Sequence, residues 1–473
     1  MTTKLQDQAD GRPTKAFFAN MLTRDIELKD AMLDLLDNCV DGLMRSIPSA
    51  KLKEEKPYSS HWAKLTFTRD RFIIEDNCGG IDKALARQSA FRMGRTSLDL
   101  AAHKSIPTVG TYGIGMKRAI FKMGRSAVVS SATKTDAFKV VIPPTWFKDE
   151  ENWNLALQPI QRTSRTLGTR IEVTDLLPTI ARQFTVNAAF ELEFVKLVSE
   201  QFALIIQKGF EVYVNGKRIK PKPFRIVSVA LQGYTGGVAP FLFRGTIDNV
   251  EIDLSVGFYK PVPDPNELDE EDDDAGTFNS DESGWTVICN DRVVLSHDTT
   301  TLSGWGVSGV PSFHNQFIAI AGMVRFLSND ASKLPLTTTK RGIDLNSDIY
   351  LRIRDKMQEG TKFFTSYTNK LKKDPDMRRK VFKETEAIDV RSFEGSKTTS
   401  SLKWKDDRKL GGGKTFVPIM PAVKADTMKV IRFSREREQV EAVAILLFDD
   451  ANVSAADVGG ACFDQFLPQA AKR

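Results

Sequence analysis

The segment 26–42, IELKDAMLDLLDNCVDG, constrains the fold of this chain more than any other stretch. Helical periodicity separates its apolar side chains from its acidic and amide side chains. The apolar side comprises Leu28, Met32, Leu35, Leu36, Cys39 and Leu43, and the polar side comprises Asp30, Asp34, Asp37, Asn38 and Asp41. The pattern predicts an amphipathic helix with one side in a core. Taken alone, the acidic side is better explained by contact with water than by a site.

The composition indicates a globular chain of two or three domains. Of the 473 residues, 41% are hydrophobic and 27% are charged. No apolar run approaches the roughly 20 residues of a membrane span, and the first residues lack the apolar core of a signal peptide, so we expect a cytoplasmic protein without a membrane partner. The four cysteines and four histidines show no ligand spacing, which argues against a zinc site. The net charge of +6 permits nucleic-acid contact without favouring it.

Two strand patterns follow the helix, at 63–68 and 71–75, and a short apolar segment at 16–23 precedes it as a strand or a packed arm. The second strand ends in the turn DNCGGI at 76–81, which is rich in residues that tolerate unusual backbone angles. Such a turn presents Asp76 in a cleft. An ordinary turn with a helix cap at Asp82 explains the same residues.

A second glycine segment, VGTYGIGMKR at 109–118, precedes a predicted helix at 119–123. Gly110, Gly113 and Gly115 free backbone N–H groups near a helix start, where the helix dipole also favours an anion, and Lys117 adds a positive charge. The segment matches neither a Walker loop nor a dinucleotide fingerprint. Strand patterns at 127–131 and 137–142 and a glycine-led strand, GTRIEVTDL, at 168–176 follow.

The order of these segments resembles the GHKL ATPases, the superfamily of gyrase B, the ninety-kilodalton heat-shock chaperone, histidine kinases and MutL. LLDNCVDG is similar to the family's N-box, EDNCGGI to its first glycine motif, VGTYGIGMKRAIFKMG to its second and LGTRIEVTDL to its closing Gly-Thr strand. Within the superfamily, FRMGRTS and VGTYGIGMKRA most resemble the MORC and MutL branches. The resemblance implies an α+β protein with a Bergerat-fold α/β sandwich, in which helices cover one face of a mixed sheet.

The resemblance also implies the roles of individual residues with ATP and Mg²⁺ as cofactors. Asn38 would coordinate the Mg²⁺ that bridges the phosphates. Asp76 would accept a hydrogen bond from the adenine amino group, Gly80 would let the base approach the backbone, and Thr169 would support Asp76 through water. The other implied ATP contacts are Ile81 and the segment that forms the phosphate lid, namely Gly110, Thr111, Gly113, Ile114, Gly115, Met116 and Lys117.

Two positions depart from the family pattern. The family has a glutamate four residues before the magnesium-binding asparagine, where it polarises the attacking water, and here that residue is Asp34. The aspartate side chain is one methylene shorter, so we expect slow hydrolysis, with Asp37 as an alternative base. Cys78 stands where the first motif usually has glycine, so the turn must avoid glycine-only angles at this residue.

Further strand patterns and an Asn215-Gly216 hairpin signal predict a second α/β domain. The segment 334–344, LPLTTTKRGID, resembles the transducer loop of the MutL, gyrase and MORC branches, whose lysine reaches the γ-phosphate, and Lys340 takes that lysine's place. A cation that touches only the γ-phosphate distinguishes ATP from ADP. A solvated Lys-Arg pair is the alternative interpretation.

We therefore predict four regions. They are an ATP-binding domain at 1–205, a transducer-like domain at 206–355 with an acidic loop at 264–274, a charged helix and flexible linker at 356–425, and a small, mostly helical strand-helix-helix region at 426–473. A basic group, Arg378, Arg379 and Lys380, suits DNA or an acidic protein client, although a solvated helix explains it as well.

The leading hypothesis is a magnesium-dependent ATPase that acts as a clamp, with Asp34 and Lys340 as its catalytic residues. As the family implies, two subunits would associate through their N-terminal regions into an ATP-dependent homodimer. A scaffold that binds ATP with little hydrolysis is the second hypothesis, and the aspartate at position 34 favours it. A GHKL-type protein kinase is the third, but no phosphoacceptor helix precedes the N-box.

Overall fold

In the computed structural model, the described residues are 14–48, 51–92, 113–161, 167–186, 188–264, 282–337, 340, 342–393, 396–407, 410–423 and 431–470. The chain forms two compact units that divide after Val423. Gly110, Thr111 and most of the predicted acidic loop lie outside the described residues. Within the described ranges, every helix is too short or too polar to cross a membrane.

The first sheet of the larger unit has eight strands and contains both parallel and antiparallel neighbours. Its strands are β1 (Trp62–Phe67), β2 (Phe72–Asp76), β3 (Gly124–Ala132), β4 (Ala137–Ile142), β5 (Leu157–Pro159), β6 (Gly168–Leu176), β7 (Glu211–Val214) and β8 (Lys217–Arg218). They lie in the order β5-β4-β3-β6-β2-β1-β7-β8. Only the β1/β7 pair is parallel among these neighbours. Asp76 therefore ends a central strand of a mixed sheet.

Helices pack against this sheet in one continuous core. They are α1 (Lys15–Arg24), α2 (Leu28–Ser46), α3 (Lys83–Leu85) with a π-helical continuation (Ala86–Ala90), α4 (Gly115–Met123), α5 (Pro178–Val186), α6 (Ala188–Gln201) and α7 (Ala203–Gln207). The predicted apolar side of α2 is buried in this core together with apolar side chains of the sheet. The segment 16–23 is part of helix α1, so its interpretation as a strand is wrong, and Ala19 of this helix packs in the core. The Thr14 hydroxyl caps this helix by accepting from the Phe17 N–H (3.1 Å).

A second sheet of seven strands has its own core. Its strands are β10 (Phe241–Ile247), β11 (Val250–Phe258), β12 (Gly284–Cys289), β13 (Arg292–Asp298), β14 (Ile320–Leu327), β16 (Lys405–Asp407) and β17 (Gly413–Phe416). They lie in the order β13-β12-β14-β11-β10-β17-β16, with β12 and β14 parallel. Helix α8 (Asp348–Leu371) packs on this sheet, and α9 (Pro375–Val381) and α10 (Ser396–Thr399) follow it. Strands β9 (Arg225–Ser228) and β15 (Glu386–Asp389) form a separate antiparallel pair.

The predicted linker around residues 386–424 contains three of these strands, β15, β16 and β17, and in this respect the linker prediction is wrong. Strand β17 pairs with β10, and Phe416 on β17 is buried. The glycines in this segment suggested flexibility, but Gly413 has a packing role. A Cβ at Gly413 would lie 2.6 Å from the Phe243 ring, so only glycine lets these strands approach.

The smaller unit contains two helices, α11 (Arg437–Phe448) and α12 (Ala455–Ala470). Ser454 precedes α12, and its hydroxyl accepts from the Asp457 N–H (3.1 Å), as a helix cap does. The predicted strand at 428–433 falls partly outside the described residues, and its described part, 431–433, is neither helix nor strand. Together the two units give an α+β protein with mixed sheets, which confirms the predicted fold class.

Candidate functional site

The polar side of helix α2 lines a cavity next to the first sheet. Asp34, Asn38 and Asp41 lie three or four residues apart and share one face of the helix, and all three border this cavity. The side chains of Asp34 and Asp41 are buried, with residue exposures of 5% and 4%. Because isolated carboxylates are rarely buried, this side of the helix belongs to a site and is not a solvated surface.

The cavity brings together segments that are far apart in the sequence. Every predicted site residue that the structure describes borders it. Besides Asp34 and Asn38, these residues are Asp76, Gly80 and Ile81 after β2, Gly113, Ile114, Gly115, Met116 and Lys117 at the start of α4, Thr169 on β6, and Lys340. Gly110 and Thr111 are not among the described residues. The sequence motifs therefore converge on a single pocket.

Asp76 forms one end of this pocket and is held by backbone groups. Its Oδ1 accepts from the Cys78 N–H (2.7 Å) and more weakly from the Thr169 N–H (3.4 Å). Burial raises the Asp76 pKa from 3.8 to about 6, although these hydrogen bonds and the nearby Cys39 thiol oppose the shift. Thr169 thus contacts Asp76 directly through its backbone N–H.

Two glycines let the backbone approach closely at this end. Gly80 has φ +76°, and a Cβ there would lie 2.4 Å from the Ala132 carbonyl oxygen. Gly168 has φ +144°, and its Cβ would lie 1.8 Å from the Asp76 carbonyl oxygen. Gly79 and Gly80 carry the positive φ angles of the described turn, and Cys78 does not. The cysteine at this position therefore fits the turn without backbone strain.

The opposite end of the pocket is a cluster of paired charges. Asp34 forms an ion pair with Arg118, and its Oδ1 lies 4.0 Å from Lys340 Nζ. Lys340 Nζ also donates to Asp37 Oδ2 (3.3 Å). Burial on its own lowers the Lys340 pKa, but Asp37, Asp34 and Asp41 outweigh it, and the pKa rises above its usual value. Lys340 is therefore a fixed positive charge at this end.

Asp37 is not placed as a water-activating base. Its two oxygens are engaged by two cations, because Oδ1 accepts from Arg292 Nε (2.8 Å) and Oδ2 from Lys340. It also stands outside the described lining of the cavity, whereas Asp34 borders it. Of the two carboxylates, Asp34 has the access that a general base needs.

Lys117 differs from the expectation of a free charge for an anion. The residue is 3% exposed, and its Nζ donates to the carbonyl oxygens of Ala90 (2.9 Å) and Gly113. These bonds join the end of the π-helical turn to the segment that enters α4. In this arrangement Lys117 stabilises the loop backbone.

The sequence patterns did not identify two arginines of this charge cluster as site residues. Arg118 directly follows Lys117 in the second glycine motif, and a search for a partner of the buried Asp34 would have drawn attention to it. Arg292 comes from β13, 255 positions after Asp37, and no local pattern marks it. Arg45 on α2 also borders the cavity and acts electrostatically on Asp76.

An amide on a buried helix, a carboxylate on a glycine turn and a glycine-led helix start thus surround one pocket. Residues 26–172 match the family model described as histidine kinase-, DNA gyrase B-, and HSP90-like ATPase. This segment is similar to the ATPase domains of the GHKL family. Domains of this family bind ATP, typically with Mg²⁺, and generally hydrolyse it. The match ends before the second sheet and Lys340, and a comparison of the chain with curated proteins found no match.

Proposed function

We propose that this protein is a magnesium-dependent ATPase that acts as a nucleotide-operated clamp. The observation that carries the proposal is the convergence of Asn38, Asp76 and Lys340 on one pocket, although Lys340 lies in a different part of the chain from the matched ATPase segment. In this proposal the adenine binds at the Asp76 end and the phosphates at the end with Asp34 and Lys340.

The residues of the pocket fit this placement. Asp76 offers an acceptor for the adenine amino group, and Gly80 leaves room for the base. Asn38 offers an amide oxygen, a ligand type that suits Mg²⁺. Among the described residues, no group of three His, Cys, Asp or Glu side chains is arranged to hold a metal by itself. Asn38 is therefore the residue that would hold a magnesium ion, and the nucleotide would supply further oxygen ligands.

Asp34 is the proposed general base for the attacking water. It borders the pocket one helical turn from Asn38, so a water next to the γ-phosphate lies within its reach. Its ion pair with Arg118 occupies part of the carboxylate, and its side chain is shorter than the family's glutamate. Both features predict slow turnover, and they favour an ATP-gated scaffold with little hydrolysis as the second candidate function.

The clamp mechanism relies on Lys340, which would contact the γ-phosphate and thereby link hydrolysis to the second sheet. Lys340 precedes helix α8, which packs on that sheet, so a displacement of the lysine has a direct structural route to it. By analogy with the MORC and MutL branches, we propose an ATP-dependent homodimer that associates through the N-terminal regions. We also propose that the clamp acts on a client protein or DNA, which the basic group would contact. Arg378 is buried and pairs with Asp264, so Arg379 and Lys380 are the exposed cations of the basic group.

The test measures ATP turnover, nucleotide uptake by calorimetry and subunit mass, with and without the non-hydrolysable analogue AMP-PNP and Mg²⁺. For Asp34→Asn we expect a loss of turnover of roughly 100-fold or more with uptake retained, since general-base catalysis contributes factors of that order. For Lys340→Ala we expect weaker uptake of AMP-PNP, unchanged uptake of ADP and less dimer.

The matched control is Lys333→Ala. Lys333 lies, like Lys340, between β14 and α8, but its Nζ donates to the Asp248 carbonyl oxygen on the surface (2.9 Å). The variant should behave as the wild type. Negligible turnover in both wild type and Asp34→Asn, with strong uptake, would establish the scaffold instead. The absence of any nucleotide uptake by the wild type would overturn the proposed function.

A further inference from the structure

Arg292 reaches from the second sheet to the helix that lines the nucleotide pocket. It is the first residue of β13, its side chain is 1% exposed, and its Nε donates to Asp37 Oδ1 (2.8 Å). Asp37 directly precedes Asn38 on α2. A residue of the second sheet therefore contacts the neighbour of the proposed magnesium ligand.

The Arg292 guanidinium is fixed from several sides. Its Nη1 donates to the carbonyl oxygens of Val293 (2.7 Å) and Gln201 (3.3 Å), and its plane lies over the Phe202 ring, 4.2 Å from the ring centroid. Because the guanidinium is planar and always charged, these contacts define both its position and its orientation. Arg292 is thus a rigid donor to Asp37.

Asp37 passes this constraint to Lys340. Its second oxygen accepts from Lys340 Nζ (3.3 Å), and its own side chain is 2% exposed. A lysine has four rotatable bonds, and a fixed carboxylate reduces the number of positions that its ammonium group samples. Leaving one of these buried charges unpaired is costly, so Arg292, Asp37 and Lys340 are expected to move together.

We propose that Arg292 is a positioning residue for the γ-phosphate contact, acting through Asp37 to hold Lys340 at the phosphate end of the pocket. The preference for ATP over ADP then depends on the β12–β13 hairpin as well as on the loop that carries Lys340. This inference rests on the proposed function, because it assumes that Lys340 contacts the γ-phosphate.

The test measures the dissociation constants of AMP-PNP and ADP, each with Mg²⁺, by calorimetry on the full chain. We expect Arg292→Met to reduce the preference for AMP-PNP by about tenfold, within the range of typical coupling between sites. The affinity for ADP should change little. In a Lys340→Ala background, Arg292→Met should have no further effect on the preference, because the residue acts through that lysine.

The matched control is Lys208→Met. Lys208 pairs with Asp291 (2.5 Å), the residue before Arg292, so this variant removes a neighbouring ion pair at the same hairpin. It should lower the melting temperature without changing the AMP-PNP preference. If Arg292→Met does not fold, Arg292→Gln combined with Asp37→Asn removes the charges of these two residues together. This double variant should show the same loss of preference for AMP-PNP over ADP.

The outcomes separate the two claims. If the wild type binds neither nucleotide, the proposed function is wrong, and this inference, which depends on it, is wrong as well. If the wild type prefers AMP-PNP and Arg292→Met retains the full preference, only the inference is overturned. The same conclusion follows if Arg292→Met and Lys340→Ala reduce the preference additively, because Arg292 would then act independently of the lysine.

Discussion

The two ends of the pocket next to the first sheet use aspartate in opposite ways. At one end Asp76 is held mainly by backbone N–H groups, and burial raises its pKa to about 6. At the other end, Asp34 and Asp37 are paired with Arg118, Arg292 and Lys340. One end thus holds a carboxyl whose pKa is raised by burial, and the other holds carboxylates paired with fixed cations.

This difference follows from where the partners originate. The groups that hold Asp76 come from its own turn and from the neighbouring strand β6, all within the matched ATPase segment. Two partners of the paired carboxylates, Arg292 and Lys340, come from beyond it. The Asp76 end, where we propose that adenine binds, is therefore built within one segment, whereas the end with Asp34, where we propose that the phosphates bind, is completed by residues from beyond it. Under the proposed function, this arrangement would couple the bound nucleotide to the second sheet through Arg292 and Lys340.

We expect the largest difference between the two ends in the free energy of unfolding when a carboxylate is removed. Asp37→Asn leaves Arg292 buried without its carboxylate and should lower the free energy of unfolding by about 3 kcal/mol. Asp76→Asn removes a carboxyl whose charged form is already disfavoured, so at pH 7 it should cause no loss. Denaturant unfolding of both variants measures the difference. Equal losses would show that the two ends do not differ as the structure implies.

The second prediction concerns pH. The folded-state pKa of Asp76, about 6, lies above the ordinary value of 3.8, so the folded protein binds this proton more tightly than the unfolded chain does. Stability should therefore fall as the pH rises from about 4 to 6. Relative to Asp76→Asn, the wild type should lose about 2 kcal/mol across this window. Unfolding curves of both proteins at pH 4.5 and 7.5 provide the measurement, and parallel pH profiles would contradict it.

The same titration should affect nucleotide uptake. Only the carboxylate form of Asp76 offers both oxygens as acceptors for the adenine amino group. Uptake of AMP-PNP should therefore strengthen as the pH rises through about 6, and Asp76→Asn should bind weakly at every pH.

The Asp76 end of the pocket was predictable from the sequence because the residues that form it lie in short local patterns. The strand that ends in Asp76, the glycine turn and the Gly168-Thr169 strand each have a short sequence pattern. The requirement for glycine at positions 80 and 168 is also visible, since glycine alone tolerates their φ angles and close contacts. The helix α2 periodicity likewise identified which face packs in the apolar core, although the structure buries the acidic face as well.

The phosphate end was predictable only in part. The resemblance to a transducer loop identified Lys340, but Arg292 and its contact with Asp37 depend on how the second sheet packs on the first. Lys117 illustrates the same limit, because its position in a glycine motif suggested a phosphate contact whereas its ammonium bonds two carbonyl oxygens. Short strands such as β17 were missed because their composition is that of a linker.

The smallest expected effect is a shift in the pH midpoint of nucleotide uptake, caused by a change next to Asp76. The Cys39 thiol donates to the Leu35 carbonyl oxygen (3.4 Å) and, lying near Asp76, also lowers the carboxyl pKa against the larger effect of burial. Cys39→Ala removes this thiol, so the pH midpoint of nucleotide uptake should move upward. A single thiol hydrogen bond contributes less than about 1 kcal/mol, which corresponds to less than about one pH unit. Cys289→Ala is the control, since that buried cysteine belongs to the second sheet. A shift to lower pH in Cys39→Ala would mean that the thiol does not stabilise the carboxylate.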